Sequence, residues 1–342
     1  MMIKSENFTT ELEKSIRLQF KSKNVGYLLG AGASYLDGSG YPLALTIWDR
    51  IKNDIPQPEQ EEIQTKLNMD GTEGLEHALD LLDPGGPEPT PHRNFVIEAI
   101  AKLFYQIDPP VNNHCEFLKR IVRRNDNFVP IFTLNYDPLI ELASDEEQMT
   151  IIDGFSGFYK ASFDQNNFDL IPSKYSNSRK GRILSGNNGI LHLYKLHGSI
   201  GWFLANNRPL RVGLSFKEED SWRRLMIPPQ YRKATETTTQ PYSALWTRFR
   251  AWAVHGPRPL NRLVCIGYGM RDQHVNDVIE NAASRNDFTL LIFAKELTDE
   301  CFQLWARKEN VIIVTTDRCS LYGQKGTGHD ILWNFAKLCK EV

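Results

Sequence analysis

The chain has 342 residues, of which 41% are hydrophobic and 24% are charged, and its formal net charge at pH 7 is −2. This composition indicates a globular protein with a substantial core, and the near-neutral charge gives no sign of a surface that binds nucleic acid or anionic membranes. The five cysteines are odd in number and lack a C-x-x-C pair, which argues against a disulfide framework and a cysteine-based zinc module.

The N-terminal segment predicts an amphipathic helix. Thr10 and Glu13 have the spacing of a capping box, and apolar residues recur at every fourth position, at Leu12, Ile16 and Phe20. The segment lacks the apolar core of a signal peptide, and no run of about 18 apolar residues occurs in the sequence. We therefore expect a cytoplasmic protein in a reducing compartment.

A short apolar run at residues 25–29 predicts a buried strand that ends in a glycine-rich turn. Gly30 and Gly32 open this turn, but Tyr35 occupies the third glycine position of the dinucleotide fingerprint G-x-G-x-x-G. In open α/β sheets, such a turn commonly directs backbone N–H groups at a diphosphate. An ordinary tight turn between a strand and a helix remains the alternative interpretation.

The stretch after this turn is mainly helical. Helical periodicity marks residues 46–51, 94–105 and 115–122, and the Pro- and Gly-rich residues 83–87 interrupt it. We expect helices on long loops that form an insertion at about residues 52–127.

The rest of the chain alternates strands and helices. Apolar runs predict further strands at residues 128–134, 190–196, 263–266, 288–293 and 311–315, and periodicity predicts helices at 243–254, 299–308 and 330–338. Residues 151–189 are interpreted as irregular, and residues 203–260 as a second insertion. We expect an α/β fold: a doubly wound, mainly parallel, Rossmann-like sheet with helical insertions and no zinc module, in one domain spanning residues 1–342.

The same pattern recurs at four predicted strand ends. Ser34 lies in the turn after the first strand, Asn135 and Asp137 follow the second, His197 follows the third, and Gly267 follows the fourth. The carboxyl ends of parallel strands meet at one edge of the sheet, where open sheets bind ligands. Convergence of these four segments indicates a single site.

Together these segments resemble the sirtuin superfamily, specifically its branch of sirtuin-like NAD-hydrolysing proteins in bacterial anti-phage defence. Residues 30–34 with 40–42 resemble the phosphate-binding loop, residues 133–137 the Thr-Gln-Asn-x-Asp motif, residues 195–199 the His-Gly motif, and residues 267–272 the late glycine-rich loop. The resemblance implies an NAD pocket built from all four segments.

The sequence also departs from this pattern. Leu134 replaces the glutamine of the second motif, and Gly269 stands where a serine often occurs. Protein-deacylating sirtuins carry a four-cysteine zinc module after the His-Gly motif, whereas this chain has no cysteine between Cys115 and Cys265. We therefore expect NAD as the substrate and no metal.

The resemblance implies two catalytic residues. Asn135 would position the ribose and an incoming water, and His197 would accept a proton from a ribose hydroxyl or from that water. The alternative is that both are structural, His197 as a hydrogen-bonding residue and Asn135 as part of a turn. His192 is interpreted as structural, and residues 271–274 as a helix cap with a solvated charge pair.

The resemblance also implies the residues that contact the dinucleotide. The diphosphate would lie on the glycine turn, the nicotinamide carboxamide would accept or donate hydrogen bonds at the second motif, and the adenosine side would lie on the late glycine-rich loop. The residues expected to bind NAD are Gly30, Ala31, Gly32, Ser34, Asp137, Gly267 and Tyr268.

The function favoured by this resemblance is an NAD glycohydrolase that cleaves NAD to nicotinamide and ADP-ribose and depletes the cofactor during phage infection. The resemblance further implies a homo-oligomer and a HerA-type ATPase partner, without direct nucleic-acid or membrane binding. Two alternatives stay open: a non-catalytic module that senses NAD or ADP-ribose, and a zinc-free NAD-dependent deacylase or ADP-ribosyltransferase. A nuclease is least supported, because the sequence has neither paired carboxylates at metal spacing nor a basic stripe.

Overall fold

The structure is a computed structural model that describes residues 5–72, 74–83, 90–124, 128–170, 173–174, 182–183, 189–213, 222–228 and 239–341. The predicted break at residues 83–87 lies, from residue 84 onward, outside the described residues. None of the helices in the described part of the chain is long and apolar enough to cross a bilayer.

Within these ranges the strands, in chain order, are β1 (Val25–Leu29), β2 (Phe128–Thr133), β3 (Thr150–Ile152), β4 (Phe155–Ser156), β5 (Lys160–Phe163), β6 (Ser173–Lys174), β7 (Arg182–Ile183), β8 (Ile190–Lys195), β9 (Gly198–Ala205), β10 (Arg208–Val212), β11 (Arg223–Met226), β12 (Arg262–Ile266), β13 (Thr289–Phe293), β14 (Val311–Val314), β15 (Arg318–Leu321) and β16 (Gln324–Thr327). The helices are α1 (Ser5–Phe20), α2 (Ala31–Tyr35), α3 (Ala44–Ile51), α4 (Gln57–Leu67), α5 (Gly74–Leu82), α6 (Pro91–Tyr105), α7 (Asn112–Arg124), α8 (Leu139–Glu146), α9 (Tyr242–Arg250), α10 (Gln273–Ala283), α11 (Asp299–Ala306) and α12 (Phe335–Leu338).

The central sheet has the spatial order β3-β8-β2-β1-β12-β13-β14-β15-β16 among the described residues. The pairings from β3 to β14 are all parallel, and β15 and β16 add an antiparallel edge. The parallel strands from β8 to β14 in this order are almost wholly buried, because helices cover both faces. The predicted α/β fold with a doubly wound, mainly parallel sheet is confirmed.

The two faces of this sheet form separate cores, because successive side chains of a strand point to opposite faces. In β1, Tyr27 and Leu29 belong to the cluster that also contains buried residues of α1, α3, α6, α7 and α8. Leu28 belongs to the opposite cluster, together with buried residues of α9, α10 and α11. The carboxyl edge of the sheet is thus framed by helices on either side.

A second, antiparallel sheet has the order β11-β9-β10-β5-β4 in the described part of the chain. Trp202 of β9 is 1% exposed and packs against Phe155 at a ring-centroid distance of 4.8 Å. Arg224 of β11 pairs with Glu98 of α6, with a nitrogen–oxygen distance of 3.0 Å. This pair joins the helical segment after β1 to the second sheet.

The structure differs from the predicted elements in several places. Helix α1 already includes Ser5, so Thr10 lies inside the helix and the predicted capping box is wrong. Strands occupy parts of both residues 151–189 and residues 203–260, where an irregular segment and a partly helical insertion were expected. Within residues 330–338, only the last four form a helix.

Candidate functional site

Four strands of the central sheet end in one row. Leu29 of β1 pairs with Ile266 of β12 on one side and with Thr133 of β2 on the other, and Thr133 also pairs with Lys195 of β8. Because these strands are parallel, the segments that follow them leave the sheet at the same carboxyl edge. The structure therefore brings the four candidate segments side by side, in the order β12, β1, β2, β8.

The glycine turn after β1 is packed against the loop after β12. The N–H of Gly30 donates to the carbonyl of Ile266 at 2.9 Å, and the N–H of Gly32 donates to the carbonyl of Gly267 at 2.9 Å. A Cβ at Gly30 would lie 2.7 Å from the Cα of Tyr268, and one at Gly32 would lie 2.8 Å from the Cα of Gly267. Close approach of the two loops thus accounts for both glycines, and the N–H of Gly32 already has a protein acceptor.

Ala31 and Gly32 begin the short helix α2, in which Ser34 is buried. Gly40 and Tyr41 fold back onto this helix, since the N–H of Tyr41 donates to the carbonyl of Ser34 at 2.8 Å. A Cβ at Gly40 would lie 2.0 Å from that carbonyl oxygen. The turn and the segment that resembles its continuation thus form one compact unit.

Asn135 connects the end of β2 to this unit. Its side-chain Nδ2 donates to the carbonyl of Gly30 at 3.0 Å and to the Oγ of Ser34 at 2.9 Å. Its backbone N–H donates to the Oγ1 of Thr133 at 3.1 Å. Asn135 is half-buried, so its amide lies at the rim of the turn rather than in the packed interior.

Asp137 lies below this rim and is 6% exposed. Its Oδ1 accepts a hydrogen bond from the N–H of Leu139 at 3.1 Å, and the Ser34 hydroxyl donates to its carboxyl group. Burial raises the pKa of the Asp137 carboxyl above its usual value, and the Lys195 ammonium opposes this rise. Asp137 therefore begins α8 and anchors Ser34 to β2.

A buried cation supports the same turn from beneath. Lys195, at the end of β8, is 1% exposed. Its Nζ donates to the backbone carbonyl of Asp137 at 2.5 Å and to Oε1 of Glu141 at 2.8 Å. Lys195 thus ties β8 to the start of α8 directly under the candidate site.

His197 pairs with Asp272 at the top of the sheet. The Nε2 atom of His197 lies 3.2 Å from Oδ2 of Asp272, and the two side chains are only 5% and 7% exposed. The other carboxylate oxygen of Asp272 caps α10, accepting from the N–H groups of His274 and Val275 at 3.1 and 3.4 Å. The predicted helix cap is confirmed, but the carboxylate also faces the candidate base instead of solvent.

Tyr268 fixes the loop that carries Asp272. Its hydroxyl donates to Oδ1 of Asn276 at 2.9 Å and accepts from the N–H of Asp272 at 3.1 Å. Gly267 has a φ of 64°, a left-handed conformation that favours glycine. In this structure the Tyr268 hydroxyl thus orders the loop.

His192 differs from His197 in its position and in its neighbours. It lies within β8, its ring stacks on Phe128 at 4.7 Å between centroids, and its Nδ1 lies 3.3 Å from the Tyr194 hydroxyl. Burial, followed by the nearby Arg248 guanidinium, lowers the pKa of His192 to about 4. These contacts support the structural interpretation of His192.

The described residues form no metal cluster at these strand ends, and a surface cavity lies away from them. No group of three or more His, Cys, Asp and Glu side chains among the described residues is placed to hold a metal ion. A surface cavity of about 280 Å³ lies between α7 and α8, away from the strand ends, and is lined by residues that include Cys115, Lys119 and Glu147. Lys119 and Glu147 of this cavity form an ion pair with each other at 2.8 Å.

Residues 129–313, more than half of the chain, match the SIR2-like domain family. The chain belongs to this family. The matched segment contains Asn135, Asp137, His197 and the loop from Gly267 to Asp272, while the glycine turn precedes it. Membership of the SIR2-like family supports an NAD-related activity.

Among solved structures, this SIR2-like protein is similar to a triple mutant of a Sir2 homologue in complex with 2′-O-acetyl-ADP-ribose. The two share 12% sequence identity with a TM-score of 0.46, over 96% of this chain and 94% of the other. No curated protein gave a match.

Sequence reasoning missed two features of the site. Asp272 was assigned to the late glycine-rich loop and to a helix cap but not to a contact with His197, although its position after a strand end predicted to converge with His197 could have indicated that contact. Lys195 was included in the segment that resembles the His-Gly motif but was given no role, although a lysine at the end of a buried strand requires a charged partner. The two side chains hold the segments that carry His197 and Asp137.

Proposed function

We propose that this SIR2-like protein is an NAD glycohydrolase that cleaves NAD to nicotinamide and ADP-ribose. The observation that supports it most is the alignment of Asn135 and His197, each two residues past paired positions on adjacent strands. The glycine turn lies beside Asn135, and a carboxylate lies beside His197. A dinucleotide that spans this edge would meet the turn, the amide and the imidazole in succession.

The proposed reaction breaks the bond between the nicotinamide nitrogen and C1′ of the ribose. The electron pair of that bond leaves with nicotinamide, which neutralises its pyridinium charge, and positive charge develops on the ribose. The oxygen of a water molecule then bonds to C1′ and loses one proton. The products are nicotinamide, ADP-ribose and that proton.

The residues at the strand ends have distinct parts in this proposal. Asn135 positions the ribose and the water, His197 accepts the proton, and Asp272 orients the imidazole and stabilises the positive charge that it gains. Gly30, Ala31, Gly32 and Ser34 lie along the diphosphate, Asp137 holds the nicotinamide carboxamide, and Gly267 and Tyr268 lie on the adenosine side. Lys195 keeps the Asp137 turn in place.

The test is nicotinamide release by the purified protein, measured for the wild type, Asn135→Ala and His197→Gln. His192→Gln is the matched control, because it makes the same change in a second buried histidine of the same segment. We expect Asn135→Ala and His197→Gln to lower the rate by about 10²–10⁴-fold and His192→Gln to retain it. Intact NAD with the wild type, or equal rates for all four proteins, would contradict the proposal.

The same assay separates the alternatives. NAD binding without nicotinamide release would favour the sensing module, and ADP-ribose or acyl transfer to or from a peptide would favour a transferase or deacylase. Each alternative uses the same pocket. Comparison of His197→Gln with His192→Gln therefore still tests whether His197 takes part in the activity or in the binding. Only the chemical product differs between them.

We also propose that the activity serves anti-phage defence in the cytoplasm, through NAD depletion by a homo-oligomer that a HerA-type ATPase partner controls. This proposal rests on the resemblance of the four motifs. Light scattering of the protein alone and mixed with such an ATPase tests the assembly, and NAD levels during phage infection test the role. A monomer that never binds the ATPase, in cells whose NAD stays constant, would contradict it.

We retain the proposal of one sirtuin-like domain over residues 1–342 with insertions at about 52–127 and 203–260. The ion pair between Arg224 and Glu98 supports it, because it joins the two inserted segments beside the central sheet. A single cooperative unfolding transition is expected by calorimetry and circular dichroism. Two separate transitions would contradict it.

A further inference from the structure

Tyr242 is the first residue of α9 and is 2% exposed. Its hydroxyl has no hydrogen-bond partner among the described residues. Burial raises the pKa of this hydroxyl, so it remains protonated and is a donor at neutral pH. A buried donor without an acceptor destabilises the folded protein, because the hydroxyl loses its hydrogen bonds to water and gains none in return.

The Tyr242 hydroxyl lies directly on the turn that follows the candidate base. A Cβ built on Gly198 would lie 2.8 Å from this oxygen and 2.1 Å from the carbonyl oxygen of Leu225. Gly198 also has a φ of 81°, a left-handed conformation in which any other residue would be strained. The absence of a side chain at this position lets the Tyr242 hydroxyl approach the backbone of Gly198, the residue that follows His197.

Other polar groups around this turn are already engaged within the protein. The Tyr136 hydroxyl donates to the carbonyl of Ile227 at 2.5 Å, and the Ser199 hydroxyl donates to the carbonyl of Tyr136 at 3.2 Å. The guanidinium of Arg93 lies close enough to influence the pKa of the Tyr242 hydroxyl. Tyr242 is thus a donor without an acceptor among the described residues, and its hydroxyl lies against Gly198, the residue after the candidate base.

We propose that the Tyr242 hydroxyl donates a hydrogen bond to an oxygen of the nicotinamide-bearing ribose. This inference rests on the proposed function, since it requires the ribose to lie beside His197. The ribose oxygen would supply the acceptor that the Tyr242 hydroxyl lacks in the protein. Ligand binding would therefore remove the destabilisation that the unpaired hydroxyl causes. Tyr242 is therefore a substrate-contacting residue supplied by α9, outside the four strand ends.

Tyr194 provides a matched control. It is a second fully buried tyrosine, 1% exposed, on the same face of the central sheet. Its hydroxyl accepts from Nε1 of Trp252 at 2.9 Å and lies 3.3 Å from Nδ1 of His192. Its hydrogen bonds are complete within the protein, so Tyr194→Phe tests a purely structural hydroxyl.

The experiment measures the calorimetric affinity of Tyr242→Phe, Tyr194→Phe and the wild type for ADP-ribose and for ADP, with the melting temperature of each ligand-free protein. We expect Tyr242→Phe to weaken ADP-ribose binding about tenfold, to leave ADP binding unchanged, and to melt no lower than the wild type. Tyr194→Phe should melt lower, because Trp252 loses its acceptor, and should bind both ligands as the wild type does.

Unchanged ADP-ribose affinity in Tyr242→Phe, or an equal loss for ADP, would overturn the inference. The outcome is separable from that of the proposed function. If the wild type binds ADP-ribose in the expected Tyr242-dependent way but leaves NAD intact, the glycohydrolase proposal fails and the Tyr242 contact stands. If the wild type releases nicotinamide and Tyr242→Phe binds ADP-ribose as tightly as the wild type does, only the proposed Tyr242 contact is wrong.

Discussion

At the scale of single residues, the two histidines near the end of β8 show how position determines chemistry. His192 is enclosed by aromatic rings within the strand, whereas His197 lies two residues past the strand and faces Asp272. Both are almost fully buried, so exposure alone does not distinguish them. The adjacent carboxylate does, because it can hold and stabilise a proton-accepting imidazole.

His192 should make the protein less stable in acid. Its pKa is about 4 in the folded protein and about 6.5 when unfolded, so only the unfolded chain gains a proton as the pH falls below 6.5. At pH 5 this lowers the free energy of unfolding by about 2 kcal/mol relative to pH 7. Urea unfolding of His192→Phe should show a correspondingly smaller loss between pH 7 and pH 5. An identical loss in both proteins would contradict the assignment.

Lys195 should contribute to stability through its charge. Lys195→Met leaves Glu141 and the Asp137 carbonyl without their buried cation, and we expect a loss of about 3–5 kcal/mol in urea unfolding. Adding Glu141→Gln should recover part of that loss. Lys52→Met is the control, since the Lys52–Asp49 pair is exposed and should cost less than about 1 kcal/mol. Equal effects of the two lysine substitutions would contradict this account.

At the scale of elements, the buried parallel strands could be predicted almost to the residue. Runs such as residues 25–29 are apolar throughout because both faces of the sheet are covered, and they end at glycine or polar residues. The strands of the second sheet could not be found this way. Residues 198–205 mix glycine, serine and tryptophan, and their pairing partners lie in separate segments, so no local period marks them.

The sequence pattern could predict which strand ends form the candidate site, but it could not predict the side-chain contacts between them. The row formed by Leu29, Thr133, Lys195 and Ile266 follows from parallel pairing, which the sequence pattern indicates. The Asp272 contact with His197 depends on the path of a loop, which carries no periodic signal. The glycine turn was assigned to phosphate binding, whereas its contact with the loop at Gly267 appears only in three dimensions.

The packing of these two loops yields a direct prediction. Gly32→Ala places a Cβ 2.8 Å from the Cα of Gly267, so we expect a loss of about 1–3 kcal/mol in unfolding free energy and weaker ADP-ribose binding. Gly213→Ala is the control, because a Cβ there meets no atom of the described residues within 4 Å. That variant should match the wild type in both measurements. If Gly32→Ala were as stable as the wild type and bound ADP-ribose equally well, the two loops would not need to pack this closely, which would contradict the prediction.

At the scale of the whole molecule, both inserted segments meet beside the candidate site. The Arg224 side chain contacts Glu98 of α6 and the carbonyl of Ile200, and the N–H of Ile200 donates to the carbonyl of Tyr136 at 3.2 Å. The helical segment, the second sheet and the Asn135–Asp137 turn are therefore linked in one chain of contacts. The central sheet supplies the candidate site residues, and the added elements pack beside them.

The central claim is that one dinucleotide spans the ends of four neighbouring strands. A crystal structure of the protein with ADP-ribose tests this most directly. We expect the diphosphate beside the turn at Gly30 and Gly32, and the distal ribose within hydrogen-bonding distance of Asn135 or His197. ADP-ribose bound elsewhere, such as in the cavity between α7 and α8, with the strand ends free of ligand, would contradict the claim.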